Sequence, residues 1–208
     1  MPQIFEAKDK LEVLRAATLA ESIGTTAIVK TGGDDFERIE EIKATGVDLI
    51  LPLNFPKAFD VTDPYLARFI SLAQLKEWEM KRYNPYIVAK NHIKFAFTTD
   101  GLKDKKDFLP HLRLAIKHGL SKKDALAALT STPAKFLNID AQAGTLEEGK
   151  WANILIVKGD LFEHGIIYEN WIRGERNRIR DIEEVELRGE FNLNISGKNY
   201  LLKIDGEL

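Results

Sequence analysis

Short apolar runs alternate with longer segments whose apolar residues recur at helical spacing through the first two thirds of the chain. The apolar runs predict strands at residues 3–7, 26–29, 47–53 and 94–99. The segments between and after them predict helices at residues 9–23, 34–45, 63–83, 85–91, 108–118 and 121–137. Repeated strand–helix units with short loops favour an α/β fold with parallel strands, and about four such units amount to a partial (β/α)8 barrel.

The pattern changes after Asp140, where glycines separate short apolar segments. Residues 153–157 (NILIV) and 168–172 (YENWI) predict antiparallel strands of a small sheet. Residues 185–208 alternate around Ser196-Gly197, as the two strands of a hairpin do. The barrel part is therefore predicted to be followed by a small antiparallel β-domain.

These changes of pattern predict three parts of the chain. The first is half of a barrel, the second is a small β-sandwich-like segment, and the third is the start of a further β-domain or a hairpin. Their predicted bounds are residues 1–140, 141–180 and 181–208.

The composition suits a folded chain and excludes several classes of protein. With 208 residues, of which 44% are hydrophobic, the chain has enough apolar side chains for a core of one or two domains. Its 30 basic and 32 acidic residues give a net charge of -2, which argues against a nucleic-acid partner. Cysteine is absent, which excludes disulfides and thiolate metal sites and is compatible with a cytoplasmic or a periplasmic protein.

The sequence shows no membrane or targeting signal. The first residues, MPQIFEAKDK, lack a basic segment followed by an apolar one, and no apolar run approaches the roughly 20 residues that span a bilayer. We expect no membrane partner. The expected location is the cytoplasm, or outside the cell if a preceding segment carries a signal.

Asp100 is the main candidate for chemistry. It ends the apolar strand FAFTT and is followed by Gly101, so its carboxylate is expected at the C-terminal rim of the sheet, where active sites of α/β barrels assemble. Residues 54–56 follow the preceding strand and are expected at the same rim. The alternative explanation for Asp100 is a turn cap, because Asp-Gly pairs are common in turns. The four histidines, His92, His111, His118 and His164, are interpreted as surface residues away from this rim.

Four segments of the second half carry a resemblance to known enzymes: FAFTTDG, ALAALTSTPAKFLNI, GTLEEGKWANILIVKGDLF and YENWIRGER. In order and spacing they resemble the C-terminal part of the amidohydrolase superfamily, which includes imidazolonepropionase-like and dihydroorotase-like metal-dependent hydrolases. The resemblance covers residues 1–178 and is more specific in its second half. It implies that the chain corresponds to the C-terminal half of the catalytic region only.

The resemblance also implies roles for individual residues. Asp100 matches the aspartate that ends the eighth barrel strand, binds the metal and takes a proton from the attacking water. The histidine of the fifth strand falls near Glu6, and that of the sixth strand near Lys30 or Thr31. Glu6 can ligate through oxygen, whereas Lys30 is more typical of a charge neighbour. Because catalytic zinc sites have three protein ligands, we expect zinc or another divalent metal in the parent enzyme and weak or no binding by this chain.

Two hypotheses of function follow. In the first, the parent enzyme hydrolyses a C–N bond of a small-molecule amide, with a metal-bound hydroxide as nucleophile and Asp100 as proton shuttle, and the chain alone is inactive. In the second, the chain is a degenerate domain with a structural or interaction role in a longer protein. The retained TTDG favours the first hypothesis and the missing histidines favour the second. Open strand edges predict self-association in either case.

Overall fold

A computed structural model describes residues 3–181, 189–195 and 197–204. Its central element is a parallel sheet in which the strands follow one another in chain order. The strands are β1 (Gln3–Glu6), β2 (Ala27–Lys30), β3 (Asp48–Pro52) and β4 (Phe95–Thr98). The predicted α/β class is confirmed, and this sheet is the partial barrel that the sequence indicates.

Helices connect and follow these strands. Their bounds are α1 (Lys10–Ser22), α2 (Ile39–Thr45), α3 (Pro64–Ala67), α4 (Leu72–Met80), α5 (Asn84–Lys90), α6 (Phe108–Lys117), α7 (Lys122–Leu129) and α8 (Ser131–Phe136). Asp9 begins α1 by accepting hydrogen bonds from the backbone N–H groups of Leu11 and Glu12. Gly46 ends α2 in the left-handed conformation, with φ of 70°. Within the described ranges, none of the helices has the length and apolarity needed to cross a bilayer.

Two predicted helices are each divided in the structure, so their prediction as continuous helices is wrong. The segment 63–83 contains α3 and α4, because Ser71 is extended and forms a capping box with Gln74 that starts a new helix. The segment 121–137 contains α7 and α8, because Thr130 leaves the helical conformation with φ of -128° and ψ of -81°.

The two faces of the parallel sheet have different neighbours. One face carries Val29, Leu49 and Leu51 and packs against the helices in the main hydrophobic core. The opposite face carries Ile28 and Ala96, which contact Phe136 of α8 in a smaller cluster. We call this second face the inner face, since it corresponds to the interior of a barrel.

Two antiparallel sheets follow the helices, as predicted. The first contains β5 (Ile154–Lys158), β6 (Ile166–Ile172) and β7 (Glu175–Arg178), and the second is a hairpin of β8 (Gly189–Ile195) and β9 (Lys198–Ile204). Residues 185–188, 196 and 205–208 of the predicted hairpin segment lie outside the described residues. The division into domains at residues 140 and 180 stays a prediction.

The turn between β5 and β6 is attached to the helical layer. Arg113 of α6 donates from Nε to the carbonyl of Leu161 at 3.1 Å and from Nη2 to the carbonyl of Gly165 at 3.0 Å. Lys122 of α7 forms ion pairs with Asp160 and Glu163 of the same turn. These contacts hold the small sheet against the same helices that cover the parallel sheet.

Candidate functional site

Three charged side chains meet at the C-terminal rim of the parallel sheet. Lys30 Nζ donates to Glu6 Oε1 at 2.8 Å and also to Oδ2 of Asp100. Glu6 and Lys30 are directly paired in the register of β1 and β2, so their side chains leave the same face of the sheet. Asp100 follows β4, with β3 between it and β2. The structure therefore brings together Glu6, Lys30 and Asp100, which we call the rim cluster.

Contacts within the rim cluster favour the charged forms of Lys30 and Asp100. Hydrogen bonds to Asp100 and Glu6 raise the pKa of Lys30. The hydrogen bond from Lys30 lowers the pKa of the Asp100 carboxyl. The lysine side chain is 21% exposed, whereas Glu6 and Asp100 are 70% and 62% exposed. The lysine side chain is therefore more buried than the two carboxylates, which solvent reaches.

The backbone around Asp100 is shaped by close contacts. The N–H of Asp100 donates to Oγ1 of Thr98 at 3.1 Å, and Gly101 has φ of 76°. A Cβ at Gly101 would lie 2.5 Å from Nδ2 of Asn54, so the amide side chain of Asn54 occupies the space that a larger residue would need. Asn54 thus lies beside the Asp100–Gly101 turn, at the rim where the sequence placed residues 54–56.

Thr31 does not join the rim cluster, although it follows Lys30 directly. Its hydroxyl donates to Oδ2 of Asp35 at 2.9 Å, and Nδ2 of Asn84 donates to the same oxygen at 2.8 Å. Asn84 also accepts the N–H of Phe36 at 2.9 Å. All three polar side chains of this network are buried. Burial raises the pKa of Asp35 to about 6.

Sequence reasoning missed this buried network. The GGDD segment that contains Asp35 resembles an ordinary strand-to-helix turn, and no local pattern indicates that its second aspartate faces Asn84, 49 residues away. The two-residue acidic run after a glycine pair was the available signal. The network fixes the loop that follows β2 and so supports the position of Lys30.

The interpretation of His111 and His118 as surface residues needs correction, because both are half-buried. Nδ1 of His118 is hydrogen-bonded to the carbonyl of Leu114, and Nδ1 of His111 to the carbonyl of Leu53, the residue after β3. The His111 ring also packs against Phe55, with ring centroids 5.5 Å apart. His111 thus links α6 to the segment that leaves β3 at the rim.

The rim cluster by itself does not fit a metal ion. Among residues 3–181, 189–195 and 197–204, no three histidine, aspartate or glutamate side chains are grouped so that they could hold one. The two carboxylates of the cluster both bind the Lys30 ammonium, and a positive charge at that point opposes a divalent cation. A divalent site therefore requires donors beyond this set.

Several solved protein structures resemble this chain. An amidohydrolase from Thermotoga maritima MSB8 has 18% sequence identity and a TM-score of 0.69, over 86% of this chain and 44% of that one. A prolidase complexed with N-methylphosphonate-L-proline has 18% identity and a TM-score of 0.57, over 84% of this chain and 44% of that one. The chain thus spans less than half the length of these structures. No curated protein sequence matches it.

At this level of identity the solved structures establish the fold alone, and it is the sequence of the second half that establishes the relationship. The sequence model of the amidohydrolase family matches residues 79–190, which is more than half of the chain. The matched segment contains β4, Asp100 and the α6–α8 helices, and it extends through the small sheet. The protein therefore belongs to the amidohydrolase family.

Proposed function

We propose that this chain is part of a hydrolase that cleaves a C–N bond in a small, non-peptide amide, and that the chain alone is inactive. The observation that supports the proposal best is the rim cluster. Glu6, Lys30 and Asp100 come from separate strand ends and converge at the rim, which is where α/β barrels carry out their chemistry. Family membership supports hydrolysis as the reaction class, and the expected inactivity follows from the share of its relatives' length that the chain spans.

Asp100 is the proposed proton carrier. Its carboxylate accepts a proton from the water that attacks the amide carbon and delivers it to the leaving nitrogen as the C–N bond breaks. The hydrogen bond from Lys30 lowers the pKa of Asp100 and keeps it ionised, so it is ready to accept the proton. The same bond makes it a weaker base, and we assign Lys30 the role of orienting the carboxylate.

The test measures hydrolysis by the longest protein that contains the chain. Cyclic and linear amides are supplied, and release of the amine is followed for the wild type and for Asp100→Asn. Loss of general acid–base catalysis lowers rates by about 10²- to 10⁴-fold, and we expect a loss of this size. Asp104→Asn is the matched control, because Asp104 caps a turn four residues further on by accepting the N–H of Lys106 at 2.9 Å.

The 208-residue chain itself is expected to show no turnover in the same assay. An Asp100→Asn variant of the longer protein that hydrolyses amides at the wild-type rate would refute the role of Asp100. Turnover by the isolated chain would refute the proposed inactivity.

A non-catalytic role in structure or interaction is the second candidate. It is favoured by the position of the Lys30 ammonium between the two carboxylates that face the rim. In this case the longer protein would hydrolyse none of the amides, with or without added divalent metals. Asp100→Asn would then change nothing that the hydrolysis assay measures.

A further inference from the structure

We infer that the Lys30 ammonium takes the place of a metal ion at this rim, and that a single substitution at position 30 converts the rim cluster into a zinc site. The inference rests on the proposed location of the site but does not depend on hydrolytic activity. It follows from the arrangement of the cluster, from the charge at its centre and from the length of the lysine side chain.

The two carboxylates already have the arrangement that a cation requires. Glu6 from β1 and Asp100 from the end of β4 approach one point from opposite sides of β2 and β3, and the ammonium lies at that point. The lysine side chain is also less exposed than either carboxylate side chain. An ammonium donates hydrogen bonds to these oxygens, whereas a metal ion would accept their lone pairs at about 2.0 to 2.2 Å.

The lysine excludes a divalent ion in two ways. It occupies the position between the oxygens, and its positive charge repels a second cation there. Replacement of Lys30 removes the obstacle and leaves two oxygen donors in position.

Histidine is the replacement that the geometry favours. Its imidazole nitrogen ends short of the lysine Nζ position, and a zinc–nitrogen bond of about 2.1 Å extends the reach of the side chain by a comparable length. A zinc ion bound to His at position 30 would therefore lie close to the present ammonium. With Glu6 and Asp100 it would have the three protein ligands that are typical of an open zinc site.

The chain offers a matched control in a second lysine that bridges two carboxylates. Lys122 on α7 contacts Asp160 and Glu163. Its side chain is 43% exposed, and both carboxylates belong to one turn. In the rim cluster, Glu6 and Lys30 lie on strands and only Asp100 lies in a turn. Sites on strands are held more accurately than sites on turns, so the same substitution at Lys122 should create a much weaker site.

The experiment is a calorimetric titration of zinc chloride into the 208-residue chain. We expect Lys30→His to bind one zinc ion at least 100-fold more tightly than the wild type. Adding Asp100→Asn to that variant should remove the gain. Lys122→His should gain less than tenfold. Cobalt(II) titration provides a second readout, since a tetrahedral site gives intense visible absorption only in Lys30→His.

Tight one-to-one binding of zinc by the wild type would overturn the inference. So would a folded Lys30→His chain, checked by circular dichroism, that binds zinc no better than the wild type, or an equal gain in Lys122→His. If Lys30→His does not fold, Lys30→Gln takes its place, because its side chain is one bond shorter than that of lysine and ends in an oxygen donor. A gain of at least tenfold is then expected, and no gain refutes the inference. Amide hydrolysis is measured separately, so either proposal can fail without the other.

Discussion

Two aspartates close to the end of β2 experience opposite environments. Asp100 is largely exposed, and the hydrogen bond from Lys30 lowers its pKa. Asp35 is fully buried, and burial raises its pKa to about 6 despite the hydrogen bonds from Asn84 and Thr31. Its Oδ1 atom has no hydrogen-bond partner within the described residues. One carboxylate therefore stays charged at the surface, while the other resists ionisation inside the fold.

The first prediction concerns the pH dependence of stability that Asp35 introduces. Its pKa rises from 3.8 to about 6 on folding, so protonated Asp35 favours the folded chain. This contribution is complete below about pH 4 and is lost as the pH rises through about 6. Asn at position 35 keeps an acceptor for Thr31 and Asn84 and carries no charge. Through Asp35, the unfolding free energy of the wild type should fall by about 3 kcal/mol as the pH rises through this range. Asp35→Asn should remove this fall.

The measurement is urea unfolding, followed by circular dichroism between pH 4 and pH 7.5. The exposed Asp140 supplies the control, since Asp140→Asn should keep the wild-type pH dependence. A pH dependence that is unchanged in Asp35→Asn would show that other groups are responsible for it.

The sequence predicted which residues lie at the rim, but it did not predict which of them contact each other. The position of Asp100 at a strand end followed from the apolar run before it. Its contact with Lys30 spans 70 residues and crosses β3, so no local periodicity contains it. The burial of Asp35 was missed for the same reason, because it depends on Asn84 of α5.

Helices α4 and α7 are capped alike but anchored differently. Ser71 accepts the N–H of Gln74 at the start of α4, and Ser121 accepts the N–H of Asp124 at the start of α7. Helix α7 buries Ala125 and Ala128 in the main core, whereas α4 buries none of its residues. The cap is therefore a larger share of what stabilises α4.

The second prediction compares the loss of these two caps. Replacing a serine cap by alanine costs about 1 kcal/mol. In Ser71→Ala this cost should appear as faster amide hydrogen exchange at the start of α4, with the global unfolding free energy unchanged. In Ser121→Ala it should lower the global unfolding free energy by about 1 kcal/mol, because α7 unfolds with the core. Equal global effects of the two variants would contradict the difference in anchoring.

At the scale of the element, strands were easier to predict than helix ends. The apolar runs mark β1 to β4 closely because burial on a sheet face selects those residues directly. The breaks at Ser71 and Thr130 lie within segments whose helical spacing continues past them. The cap at Ser71 and the bend at Thr130 depend on the local backbone conformation, which the spacing of apolar residues does not reveal.

The whole molecule presents an open sheet. In the described part of the chain, β1 and β4 are its outermost strands, and Ile4 on β1 is 55% exposed. Ile4 pairs in register with Ile28 and so belongs to the inner face. An unpaired parallel edge beside apolar surface favours pairing with another copy of the chain.

The third prediction is that the chain self-associates through this edge. A lysine at position 4 places charge on the edge, so Ile4→Lys should weaken association at least tenfold. Leu146→Lys is the control, because Leu146 is 79% exposed and lies outside the parallel sheet. Multi-angle light scattering over a concentration series measures the mass. A wild-type chain that stays monomeric at all concentrations would contradict the prediction.

The strand order β1-β2-β3-β4 also has a consequence for synthesis. The ribosome releases the strands in the order in which they lie in the sheet. Each new strand can therefore pair with the strand made just before it, and no earlier pairing has to open to admit it. We expect growth of this sheet to be directional, with the strand made last as the edge that receives the next one.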